Sequence, residues 1–358
     1  MKKSLFLLGV TAAVLSGCSN QEVMDVADYA NQPIKFSTFV NKNTRASDVT
    51  NDSFSKFWAF AQFKASTETG DNWSDAFKGV ETNKTAQSAW VTEQTYYWSA
   101  NDTYRFAAYS DGENSNAGVS YSAADNGKLT FSNYTAGEND LVAAFGANDS
   151  YTWNGQAGDD VPSVALTFYH MLSKVTFTFK TKLADTYTIQ VGNLKVNAVK
   201  TTNGSYTKNG IPTWETGARV TKADYMFKDI ADVASGTQGD DGYFTQTGDP
   251  LYLIPQSNTD LQVSFTVSIW DASRTPATDT PLAQKKFTAS LKYTAAESGE
   301  NAGITDQWTP GYYYNYTGEI TMENVDPEGD QKPITFTVTE VKGWTTAGGT
   351  TDELIESE

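Results

Sequence analysis

The sequence predicts an all-β protein, and three observations carry that prediction. Apolar segments are short and are separated by clusters of Gly, Asn, Asp and Ser. Aromatic residues make up 13% of the 358 residues and sit beside abundant Thr, a mixture that fits pleated surfaces better than helices. No long apolar stripe of helical period occurs, a short stretch at residues 295–300 excepted. Short strands with one apolar face suit a sandwich of packed sheets rather than a parallel sheet covered by helices.

The leader comes first. Lys2 and Lys3 open the chain, and Leu5 to Leu15 form an apolar run too short to span a bilayer. Leu15, Ser16, Gly17 and Cys18 end it, and this pattern resembles the lipobox of bacterial lipoproteins. The resemblance implies a signal peptide at 1–17, a diacylglycerol on the Cys18 thiol, and a membrane anchor made of several acyl chains. Cys18 is the single cysteine, so the chain has no internal disulfide framework. Residues 18–31 are polar and acidic and read as a tether. The formal charge of −17 is the wrong sign for a nucleic-acid partner.

A first strand follows. Ile34, Phe36, Thr38 and Val40 alternate with Lys35, Ser37 and Phe39, the period of a pleated segment. Residues 41–44 carry no apolar side chain, which puts Arg45 in an exposed, cleavable loop. The same residues also read as an ordinary solvated loop.

Further strands are expected at 57–63, 90–91, 104–109, 128–131 and 140–145, with 70–89 as an irregular polar insertion and Asp111-Gly112 as a turn. The Gly-rich, acidic stretch at 154–160 marks the best domain boundary, dividing a sandwich at 32–160 from one at 161–345. Strands in the second half are expected at 164–168, 175–179, 187–198, 251–254, 261–270, 287–293, 312–322 and 334–341. Asn203-Gly204 and Asn209-Gly210 read as turns, and 233–242 as a flexible acidic loop. An acidic tail, 346–358, closes the chain.

Catalytic patterns are sparse, and the chain reads as a non-enzyme without cofactor or metal. His170 is the single histidine and reads as a hydrogen-bonded packing residue, with no second histidine for a relay. No nucleophile elbow or phosphate-binding Gly-rich Lys loop is present. Asp159-Asp160 and Asp240-Asp241 sit side by side, not opposed across a cleft, and neither matches an EF-hand loop. Trp73, Trp90, Trp153, Trp214 and Trp308 lie near polar loops, where exposed rings would stack on sugars; the plainer reading is core packing.

Taken in order, the landmarks resemble the fimbrillin family, subunits of type V pili. They are Leu15–Cys18; Ile34 and Phe36 before Thr44, Arg45 and Ala46; and Tyr97 and Trp98 before Tyr104, Phe106, Ala108 and Tyr109. Leu166, Phe168, His170, Leu172, Lys174 and Val175 come next, then Leu253-Ile254-Pro255-Gln256, Pro310-Gly311 with Tyr314, and Val341 with Trp344. The resemblance implies two tandem transthyretin-like sandwiches behind a lipoprotein signal peptide. It implies other fimbrillin subunits as partners, an outer-membrane and cell-surface location, and an arginine-specific maturation protease. That protease would cut between Arg45 and Ala46, and the departing first strand would be replaced by a strand from a neighbour. Shaft, tip and anchor positions all remain open. So does a non-polymerising adhesin or glycan-binding module. After Trp344, Leu354 and Ile355 are the only bulky apolar residues, and as neighbours they would face opposite ways, which makes a poor donor strand. Either 334–341 doubles as donor, or the subunit does not donate.

Overall fold

Alternating apolar residues give strands almost throughout the computed structural model, which describes residues 32–40, 54–112, 118–123, 127–156, 159–183, 186–292, 307–325, 332–334 and 336–343. The first half holds β1 (Lys35–Val40), β2 (Lys56–Lys64), β3 (Ser74–Lys84), β4 (Trp90–Thr92), β5 (Thr103–Asp111), β6 (Val119–Ser122), β7 (Lys128–Thr135), β8 (Leu141–Gly146) and β9 (Tyr151–Thr152). Then come β10 (Ser163–His170), β11 (Ser173–Thr181), β12 (Tyr187–Val199), β13 (Thr201–Tyr206), β14 (Thr213–Trp214), β15 (Lys222–Met226), β16 (Thr237–Gln238) and β17 (Phe244–Thr247). The last are β18 (Leu251–Leu253), β19 (Gln262–Asp271), β20 (Ala283–Ser290), β21 (Tyr312–Ile320), the one-turn helix α1 (Met322–Val325) and β22 (Phe336–Gly343). The fold is all-β, as the alternation predicts. The short helical stretch expected at 295–300 lies outside the described residues.

Among the described residues the strands form four sheets. The first has the order β1-β10-β8-β5-β2-β3-β4, with β9 beside β5. One of its faces gathers Phe57, Phe106, Val142, Leu166 and Phe168 into a core of its own. Its other face, with Trp58, Tyr109 and Phe145, packs on Leu129 and Phe131 of the second sheet, β14-β13-β7-β6. The third sheet, β16-β17-β11-β21-β22 with β18 beside β11, faces the fourth, β15-β12-β19-β20. Phe179 of β11 meets Phe265 of β19 edge-on at 5.3 Å, and Phe265 stacks on Phe287 of β20 at 5.4 Å.

Sequence order and sheet order diverge at the boundary expected at 154–160. β10 lies beyond it, yet pairs with β1 and β8 in the first sheet. The second sheet joins β7 to β13, so both halves of the chain share one ladder. The chain leaves the first sheet at Met171 and Leu172, both fully buried.

Three local expectations are corrected. The insertion at 70–89 contains β3, an edge-side strand with few apolar residues; it pairs with β2 and buries Phe77 and Thr82. Asn203-Gly204 is not a turn but the middle of β13. Gly204 is required there because a Cβ would lie 2.5 Å from the Trp214 ring. In the loop at 233–242, Val233 is fully buried and donates its N–H to the Ile189 carbonyl at 2.8 Å. Asn209-Gly210 is a turn as expected: Asn209 has a φ of 59°, and Gly210 N–H donates to Thr207 O at 2.9 Å.

A buried carboxylate sits where the sheets meet. The Tyr134 hydroxyl of β7 donates to Asp111 Oδ1 at 3.1 Å. Burial pushes the Asp111 carboxyl up to about 6; the Tyr134 bond opposes the rise and the nearby Asp140 charge adds to it. The folded protein therefore holds this proton more tightly than the unfolded chain does. The resulting stability is fully present below the unfolded value near 4 and is lost as pH rises through about 6. In full it amounts to about 3 kcal/mol. On acidification from about pH 8 to about pH 5, wild type should gain about 1 kcal/mol relative to Asp111→Asn in denaturant unfolding. Parallel pH profiles of the two proteins would contradict this.

Candidate functional site

The first strand shows how the sequence builds a separable element. β1 runs parallel to β10, with Phe36 opposite Val164, Thr38 opposite Leu166 and Val40 opposite Phe168. Parallel partners present matching residues to the same face, so the alternation of β1 aligns with that of β10. Phe36 is 8% exposed, while Lys35 and Ser37 point outward. The Phe36 ring meets Phe57 at 5.7 Å and Phe106 at 6.0 Å, both nearly perpendicular, the arrangement favoured by the aromatic quadrupole. Ile34 packs against the same cluster.

The start of β1 is held from its other side as well. Ile34 N–H donates to Tyr96 O at 2.8 Å, and Trp98 N–H donates to Gln32 O at 3.0 Å. Pro33 sits between them, opposite Tyr97, where its missing N–H leaves no ladder bond unmade. β1 therefore lies in a slot. One wall is the edge of β10, the other is the stretch at 96–98, and the floor is aromatic. Trp98 is itself locked by Tyr104 at 5.0 Å and Phe106 at 5.7 Å.

The structure thus places Phe36 and Thr38 on β1 with Ile34 just before it, and Val40 continues the register. Cys18, Arg45 and Ala46 lie outside the described residues, as do the leader, the tether and the tail beyond Gly343. Sequence reasoning missed the partners of the slot. The alternation of Val164, Leu166 and Phe168 was visible, but not that it faced Phe36 across more than a hundred residues.

At the far end of the chain, β22 pairs along β21 from Tyr312 opposite Gly343 to Gly318 opposite Phe336. Phe336 packs against Phe177, Phe179 and Phe265, and Ile334 is 3% exposed. This segment is thus part of its own sandwich.

The remaining candidates resolve individually. His170 Nδ1 lies 2.8 Å from Asp140 Oδ2, both side chains almost fully buried, which is a packing pair at the end of β10. Trp153 and Trp308 are buried, Trp90 packs on Phe54 and Phe57, and Trp214 stacks on Phe131. Trp73, half-buried like Trp90 and Trp214, lies over the Arg105 guanidinium at 4.3 Å. Asp159, Asp160, Asp240 and Asp241 are exposed. Among the described residues no three His, Cys, Asp or Glu side chains gather as a metal site, and no helix is long and apolar enough to cross a membrane.

Among curated proteins none matches this sequence. Solved structures similar to it include a "putative cell adhesion protein" from Bacteroides uniformis, 17% identical over 87% of this chain and 98% of that one, with a TM-score of 0.46. A second, also a "putative cell adhesion protein", from Bacteroides ovatus, is 12% identical over 89% and 100%, with a TM-score of 0.47. The fimbrial anchor protein Mfa2 from Porphyromonas gingivalis is 11% identical over 87% and 98%, with a TM-score of 0.34. A sequence model described as fimbrillin-like matches residues 44–344, most of the chain. On that match, the chain belongs to the fimbrillin-like family.

Proposed function

We infer that this chain is a structural subunit of a cell-surface fimbria, made as a lipoprotein and completed by strand exchange. The observation that carries this reading is the setting of β1: it joins the first sheet through one ladder, to β10, and fills an aromatic-floored slot. Acylation at Cys18 would hold the precursor at the outer membrane. Cleavage between Arg45 and Ala46 by an arginine-specific protease would free β1 from the rest of the chain. The opened slot would offer the unpaired backbone groups of β10 and the apolar floor around Phe57 and Phe106, which an incoming strand of another subunit would satisfy together. Each apolar side chain seated there contributes about 1.5–3 kcal/mol, enough over several positions for a long-lived joint.

β22 argues for a subunit that receives a strand and does not give one. Extracting Phe336 and Ile334 would uncover the core of the second sandwich. A receiver that does not donate ends a fibre, so we place the subunit at a tip.

The test uses the purified precursor and an arginine-specific protease, followed by mass and by oligomer ladder with donor-competent subunits. Loss of the segment ending at Arg45, then association with donor subunits, is the expected result. Arg45→Ala should fold normally, resist this cut and reduce incorporation by at least about tenfold. Normal incorporation of uncut Arg45→Ala would overturn the assignment.

A further inference from the structure

The face of the first sheet opposite Phe36 holds a second, unrelated feature. Phe106 of β5 points into the slot core, so its neighbour Arg105 points the other way. Arg105 is only 9% exposed. Its Nε donates to Gln62 Oε1 at 2.9 Å and one terminal nitrogen donates to Ala123 O at 3.0 Å. Gln62 is itself fixed, donating to Tyr121 O at 3.0 Å. These bonds use two of the five guanidinium N–H groups. No carboxylate among the described residues pairs with Arg105, although buried charges are ordinarily paired.

Arg105 lines a cavity of about 350 Å³. Trp73 forms an aromatic wall over it, and Lys208 stands at the rim, bonded at 2.7 Å to an Asp149 carboxylate that is 92% exposed. Asn148 and Asn209 also line the opening. Gly127 keeps the floor open: a Cβ there would meet the Tyr121 hydroxyl at 2.7 Å and the guanidinium carbon at 3.3 Å. On a chain of net charge −17, a buried cation beside a lysine is an unusual local field.

We propose that this cavity binds an acidic sugar, a glycan residue bearing a carboxylate. Arg105 and Lys208 supply charge-assisted donors to the carboxylate, Trp73 an apolar face for the ring, and the two asparagines partners for hydroxyls. The cavity is at the small end of the ligand-pocket range of about 300–1,000 Å³, which suits a single ring better than an extended chain. The site is independent of β1 and of the polymerisation reading, because it lies on the opposite face of β5.

The experiment titrates the full-length protein by calorimetry with glucuronate against glucose, and sialyllactose against lactose, with inorganic phosphate as competitor. Each acidic sugar should bind at least about tenfold tighter than its neutral counterpart. Trp73→Ala should lower acid affinity about tenfold with the melting temperature unchanged, because Trp73 is half-exposed. Lys208→Gln should narrow the acid-over-neutral ratio. Equal affinity for acidic and neutral sugars, or no binding of either, would overturn the proposal. Full acid affinity in Trp73→Ala would do the same. Competition by phosphate as strong as by glucuronate would reduce the site to a general anion pocket and overturn the sugar assignment.

Discussion

A chain beginning at Ala46 is expected to bind a synthetic peptide of residues 32–42 saturably, and to bind the Phe36→Ala peptide about a hundredfold more weakly. The expectation follows from the geometry of the slot. Phe36 is the most buried described side chain of β1 and makes edge contacts with both Phe57 and Phe106. Truncating a buried Phe to Ala costs about 3–5 kcal/mol, and the low end of that range corresponds to roughly a hundredfold in affinity. Lys35→Gln should be nearly silent, since Lys35 points outward. Fluorescence anisotropy of a labelled peptide reads all three. In the intact chain, Phe36→Ala should speed hydrogen exchange at β1 and β10 before it affects the second sandwich. Equal affinity for the wild-type and Phe36→Ala peptides would show that the slot floor does not select its strand.

The second large effect is expected at Gln256, the last residue of the Leu253-Ile254-Pro255-Gln256 landmark. Its Nε2 donates to Val199 O at 3.1 Å and to Ile254 O at 3.0 Å, and its Oε1 accepts from Val199 N–H at 3.0 Å. Val199 ends β12 in the fourth sheet, and the chain resumes at Thr201 as β13 in the second. Gln256 therefore satisfies the backbone where the chain crosses between sheets. Tyr225 supports the same point, its hydroxyl donating to Val199 O at 2.9 Å and accepting from Ile254 N–H at 3.2 Å. Gln256→Leu leaves the Val199 N–H buried without its partner and removes three hydrogen bonds. A buried unsatisfied group costs about 1–3 kcal/mol, so the expected loss of unfolding free energy is about 3 kcal/mol. Exposed Gln238→Leu, the control, should stay within about 0.5 kcal/mol. A Gln256→Leu midpoint equal to wild type would contradict this role.

How far the sequence could be read depended on how local the controlling physics was. β2, β5, β10 and β19 announce themselves because short apolar runs and apolar alternation are local signals. β3 did not, since a strand lying near the edge of a sheet needs few apolar residues: Phe77 and Thr82 suffice. Gly204 looked like a turn because the ring of Trp214, which fills the space of its missing side chain, comes from the next strand. β1 was legible as a strand, but its parallel partner was not, because pairing Phe36 with Val164 depends on long-range topology. Arg105 carried no sequence signal as a site. Its significance lies in burial with no carboxylate paired to it among the described residues, a feature of the folded chain alone.

The central claim is that β1 leaves and another molecule's strand takes its place. Intact-mass and N-terminal analysis of the subunit recovered from assembled surface fibres tests it most directly. The account predicts a chain that starts at Ala46, with residues 32–40 absent from the fibre. A fibre subunit that retains Ile34 to Val40 on its own chain would contradict it.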